Sequence, residues 1–167
     1  FAQRYTNNME KQLQINIDER VERAQHYFKA GYNCAQAVVM AFDDVMQMTP
    51  DTLARLVAPF GGGMGRMREV CGTVSGMAFV AGAIAPSANP SNMKERKENY
   101  ALVQAFAAKF REENGDIVCR RLLGLEPMAE RAETAMPSER TQEYYKKRPC
   151  VEYVGCAARI VAEYLAK

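Results

Sequence analysis

The sequence predicts an all-α fold, a single-domain helical bundle of about six to eight helices with a buried central helix after a glycine-rich turn. Three observations predict it. Apolar residues recur at three- and four-residue spacing in segment after segment. Alternating runs never extend beyond a few residues, and the one Asn-Gly pair, Asn114-Gly115, has no strand pattern beside it. The stretch 60–82, FGGGMGRMREVCGTVSGMAFVAG, sets four glycines (Gly61, Gly62, Gly63, Gly65) before an apolar run too long for an ordinary strand. Small residues throughout that run (Gly72, Ser75, Gly76, Ala78, Ala81, Gly82, Ala83) suit a helix packed tightly on all sides.

Residues 1–17 are polar and weakly patterned and read as a flexible lead-in to one domain spanning 18–167. Asp18 is a fair cap for a first helix whose apolar stripe is Val21, Ala24, Tyr27 and Phe28, ended by Gly31. Asn33 caps a second helix beginning at Cys34. Thr49-Pro50-Asp51 opens a third that runs to Val57, with Pro50 permitted in the first turn. Pro59 stops it before the glycine turn, and the small-residue helix then carries Cys71 in its first turn and ends near Ile84. After a Pro/Ser/Asn loop, a long amphipathic helix runs from about Asn92 to Glu113, with Leu102, Val103, Phe106 and Phe110 on its apolar face. Residues 117–123 form a short helix carrying Cys119 in its first turn, and 125–140 are unpatterned. Segment 141–147 is ambiguous, and Pro149-Cys150 opens a final helix with Val151, Val154, Ala158, Val161 and Leu165 on one face.

The 167 residues suffice for one good-sized core. A net charge of +2, from 22 basic and 20 acidic residues, is too balanced to argue for nucleic acid. Lys146-Lys147-Arg148, the longest basic run, reads as a solvated face. No apolar stretch reaches the length of a membrane span. The first twenty residues hold no apolar segment of the signal-peptide kind, so the expected compartment is the cytoplasm, where cysteines bind metals or do redox work more often than they form structural disulfides.

Cysteines stand at 34, 71, 119, 150 and 156, with no CxxC pair, which excludes the usual zinc-ribbon, zinc-finger and bacterial ferredoxin spacings. Cys34, Cys71, Cys119 and Cys150 each fall in or near the first turn of a predicted helix, where the dipole lowers a thiol's pKa. Judged singly, each reads equally well as a small core residue. Cys156 lies about 240° around an ideal helix from Cys150 and reads as packing surface.

These residues carry a resemblance. GYNCAQAV around Cys34, FGGGMG followed by CGTVSG at 71–76, Cys119 before RRLLG, and Cys150 opening the last helix resemble the redox-active family named for its C…GCAxxG…C…C cysteine pattern. The likeness covers roughly residues 24–162. It departs at Val70 and Gly72-Thr73, where the written pattern has glycine before the second cysteine and alanine after it; the closing glycine is present as Gly76. The chain is also similar to the cysteine domain of split-Soret cytochromes, whose four cysteines suit an iron–sulfur cluster. The resemblance implies a redox role for Cys34, Cys71, Cys119 and Cys150.

Three functions remain open. The first is an electron-transfer protein whose four cysteines ligate an iron–sulfur cluster, [2Fe–2S] by preference, with Gly62, Gly63, Gly65 and Gly72 as the candidate glycines lining the cofactor pocket and an unidentified redox protein as partner. The second is a thiol–disulfide oxidoreductase, with the same four cysteines as redox-active thiols. The third is a structural zinc site, or a plain helical interaction module. His26, the one histidine, reads as a surface or core-edge residue, so Ser/His/Asp hydrolysis is disfavoured. No GK[ST] follows the glycines, which argues against a phosphate loop. Arg66 and Arg68 precede Cys71 and are expected to be solvated.

Overall fold

A computed structural model describes residues 14–126 and 134–167. Residues 1–13 of the expected lead-in, and 127–133 of the unpatterned segment, lie outside the described residues.

The first helix, α1 (Ile17–Lys29), is capped by Asn16, whose side chain accepts from Glu19 N at 3.0 Å. Asp18, expected to be the cap, instead sits in the first turn, where its charge meets the positive end of the helix dipole. Gly31, at φ +109°, reverses the chain after the helix. Asn33 caps α2 (Cys34–Met40) in a capping box: its side chain accepts from Gln36 N at 3.0 Å while Gln36 Oε1 accepts from Asn33 N at 2.9 Å. From Ala37 to Met40 the helix is buried without a break.

A separate turn, α3 (Asp43–Met46), follows α2 after Ala41 and Phe42. Arg20 explains the break. It is buried, donates to Ala41 O at 2.8 Å and holds Asp44 through both guanidinium nitrogens at 2.6 and 2.5 Å. Next come α4 (Pro50–Val57), capped by Thr49, and a single 3-10 turn, Ala58–Phe60.

Helix α5 (Gly72–Ile84) crosses α2 closely and buries Gly72, Thr73, Val74, Gly76, Met77, Val80 and Ala81. Ser75, Ala78 and Phe79 are half-buried and Gly82 is exposed, so the helix is not packed on all sides as expected. A Cβ at Gly76 would lie 3.1 Å from Val38 Cβ, so glycine sets the approach of the two helices. The long helix α6 (Met93–Asn114) packs Leu102, Phe106 and Phe110 inward and ends at Gly115 in the left-handed region. Two short helices, α7 (Cys119–Leu122) and α8 (Gln142–Lys147), precede the last, α9 (Cys150–Leu165). The ambiguous segment 141–147 is thus helical, with Thr141 accepting from Tyr144 N at 3.1 Å. α9 lies along α1 in the most extensive helix pair of the fold.

The described residues hold nine α-helices and no sheet. Their one extended pairing is an antiparallel bridge between Val70 and Val118. No helix among them is long and apolar enough to cross a membrane.

Candidate redox centre

Four elements deliver the four cysteines. Cys34 and Cys150 are the first residues of α2 and α9, and Cys119 is the first of α7. Cys71 is the N-cap of α5, one position earlier than its expected place in the first turn. The Val70–Val118 bridge explains why two of them meet. Cys71 N donates to Ile117 O at 2.8 Å, and Cys119 N donates to Glu69 O at 2.6 Å, so residues 48 apart in sequence are laced side by side. Tyr153 of α9 donates its hydroxyl to Leu122 O at 3.3 Å, drawing the final helix toward the end of α7.

Cys34, Cys71, Cys119 and Cys150 line one cavity of about 70 Å³. Phe28, Leu122 and Leu123 supply apolar wall, and Arg68, Arg140 and Arg148 supply a basic one. Cys71 and Cys119 are buried, whereas Cys34 and Cys150 are half-buried. All five cysteines are free. Among the described residues no three His, Cys, Asp or Glu side chains converge closely enough to hold a single metal ion.

The glycine turn shapes this cavity by a left-handed run. Gly62, Gly63, Met64, Gly65 and Arg66 all have φ between +55° and +71°, and Arg68 follows at +63°. Such a backbone costs a residue with a Cβ roughly 1–2 kcal/mol, and here three non-glycine residues adopt it. Its hydrogen bonds close inward: Gly65 N to Pro59 O at 2.7 Å, Arg68 N to Gly62 O at 3.1 Å and Glu69 N to Gly63 O at 3.0 Å. The amides from Met64 to Glu69 are therefore used within the turn and do not line the site as ligand donors.

The candidate glycines differ in what they do. Gly63 leaves room for Cys119, since a Cβ there would lie 2.8 Å from Cys119 Cβ and 2.7 Å from Glu69 N. Gly72 leaves room for Cys34, whose sulfur a Cβ would strike. Gly62 lines the cavity, while Gly65 lies off it, on a neighbouring space.

Electrostatics overturn one expectation. Burial pushes the Cys71 thiol far above its ordinary value, and the nearby Cys34 adds to the rise against the opposing Thr73 hydrogen bonds. Burial also raises Cys119, with Arg68 opposing. Cys150 is pushed up to about 12 by burial and by Cys34 and Cys119, with Arg148 and Arg140 pulling the other way. Removing a thiolate from water, next to other thiols, outweighs a helix dipole in this cavity.

Some residues are not where the sequence put them. Arg68 is 3% exposed, not solvated, and its guanidinium reaches Cys119 Sγ at 3.8 Å. The left-handed turn swings it inward, and periodicity carries no signal for that. Arg148, expected on a solvated face with Lys146 and Lys147, is half-buried and lines the cavity. Arg140, Thr73 and Tyr153 went unmarked because each is a common residue in a poorly patterned or helical context. Cys156 is outside the cavity, as expected, but its surroundings are polar: Asn114 Nδ2 donates to its sulfur at 3.3 Å, and the thiol donates to Glu113 Oε2 at 3.3 Å. His26 is exposed, beside Tyr27.

No curated protein and no solved structure matches the chain. A family model described as "Putative redox-active protein (C_GCAxxG_C_C)" matches residues 32–164, which include all five cysteines, and the chain belongs to that family.

Proposed function

We propose that Cys34, Cys71, Cys119 and Cys150 ligate an iron–sulfur cluster, most simply [2Fe–2S], and that the protein transfers electrons to a partner redox protein in the cytoplasm. The observation that carries this reading is the convergence of four cysteines, from four different elements, on one cavity. Four sulfurs meet the ligand count of such a cluster. When bound, it takes up and releases a single electron.

The wall residues have definable parts. Thr73 Oγ1 lies 3.1 Å from Cys71 Sγ, and toward a thiolate only the hydroxyl can donate. Arg68 donates to Cys119 Sγ at 3.8 Å and brings positive charge to the centre. Phe28, Leu122 and Leu123 exclude water from one side. Hydrogen bonds to ligand sulfur stabilise the more reduced state, so Thr73→Val should leave the centre harder to reduce, read as a lower potential in a redox titration.

The number of cysteines favours this reading over a thiol–disulfide enzyme. A thiol–disulfide enzyme needs one attacking and one resolving cysteine, whereas four line this cavity, two of them buried.

The test is a series of anaerobically purified variants. Cys34→Ser, Cys71→Ser, Cys119→Ser and Cys150→Ser should each lose the visible charge-transfer absorption, while Cys156→Ser keeps it. Equal loss in Cys156→Ser, or retention in Cys71→Ser, would sink the assignment.

A further inference from the structure

A second cavity, of about 350 Å³, adjoins the thiol cavity of about 70 Å³. The two share Asn33, Gly62, Arg68, Arg140, Tyr144 and Arg148. Four arginines line the larger space, Arg66 and three of the shared residues, and no carboxylate side chain lines it among the described residues. Arg66 donates to Thr134 O at 2.7 Å and to Ser138 Oγ at 3.1 Å, and Arg68 is turned to Cys119.

Arg140 and Arg148 are the informative pair. Arg140 donates to Phe28 O at 3.2 Å and Tyr32 O at 3.1 Å, both neutral acceptors, so its charge is fixed in place without being cancelled. Its guanidinium also lies 5.0 Å from the Tyr144 ring centroid. Arg148 lies 5.1 Å from the same ring. One tyrosine thus holds two guanidinium groups on the wall of a single cavity. Like charges so placed repel unless an anion sits between them. A guanidinium's fork of donors matches the paired oxygens of phosphate and carboxylate groups.

We propose that the larger cavity binds a small organic oxyanion, bearing phosphate or carboxylate groups, on Arg140 and Arg148 beside the cysteine-lined cavity. A cluster held by the four cysteines would occupy the smaller space and leave the larger one open. The inference goes beyond the cluster reading, because anion binding to these arginines needs no metal.

The test is calorimetric titration of the full metal-free chain with inorganic pyrophosphate and, separately, with citrate. A salt concentration of about 150 mM suppresses diffuse attraction. At least one probe should bind saturably, and Arg148→Gln should weaken that binding at least about tenfold. Lys146→Gln, which removes a neighbouring surface charge of the same sign, should leave it unchanged. Binding of pyrophosphate alone assigns a phosphate-bearing ligand, binding of citrate alone a polycarboxylate, and binding of both a general oxyanion site.

Absence of saturable binding by either probe overturns the proposal. So does equal weakening by Arg148→Gln and Lys146→Gln, which would mean diffuse attraction to a basic surface. A third readout needs no variant. A saturating probe should slow alkylation of Cys150 by neutral iodoacetamide in the wild-type chain, and unchanged alkylation places the anion elsewhere. Because the metal-free chain is used, a negative result here leaves the cluster reading standing, and the converse also holds.

Discussion

Gly63 and Gly72 are the residues on which the cysteine geometry depends most directly. Each lacks a Cβ where one would press on a cysteine of the cavity, and Gly63 also sits at φ +71°. Gly63→Ala combines overpacking with a left-handed backbone and should cost about 3 kcal/mol in a denaturant titration. Gly65→Ala has φ +55° but open space around the new methyl, so it should cost only about 1 kcal/mol. Equal losses would show that backbone strain alone matters at this turn. The cysteines and these glycines were legible in the sequence because both types are scarce and carry definite chemistry. Arg68 was not: whether an arginine is solvated or buried turns on a left-handed backbone that side-chain pattern does not encode.

Among the elements, helix starts place the centre. Asn33 at α2 reads as a cap because its side chain accepts from an amide three residues on, and Thr141 caps α8 in the same way in a segment whose pattern was ambiguous. The start of α1 was misplaced by two residues, since Asn16 and Asp18 are both good caps and only the structure shows Asn16 in use. The break between α2 and α3 had no local signal, because its cause is Arg20, more than twenty residues earlier.

That contact has a pH signature. Burial opposes ionisation of Asp44, yet the hydrogen bonds and charge of Arg20 outweigh it and hold the carboxyl below its ordinary value. A lowered folded-state pKa means that the unfolded chain binds the proton more readily. The stabilisation is therefore present above about pH 4 and fades as pH falls through the folded-state value. Arg20→Met should lose about 1–2 kcal/mol at neutral pH, and the gap to wild type should narrow below about pH 4 in urea titrations. A gap independent of pH would assign the loss to packing alone.

Over the whole molecule, the α-helical class was legible from period and length, because an amphipathic stripe is a repeated signal that survives local errors. The grouping of four cysteines was expected from the family resemblance and not from their spacing, since it arises from tertiary pairing: the Val70–Val118 bridge, the Tyr153–Leu122 bond and the packing of α9 on α1. A centre ligated from α2, α5, α7 and α9 would tie the two ends of the family-matched span together. Removing its metal should therefore lower the melting temperature as well as bleach the colour, because ligand binding to the folded state adds directly to stability.

The most direct measurement is iron, acid-labile sulfide and zinc per chain in anaerobically purified wild-type protein, taken with its visible spectrum. Two irons and two sulfides per chain, with charge-transfer bands, is the expected result. Stoichiometric zinc without sulfide, or no metal at all with four reactive thiols, would contradict the proposed iron–sulfur centre.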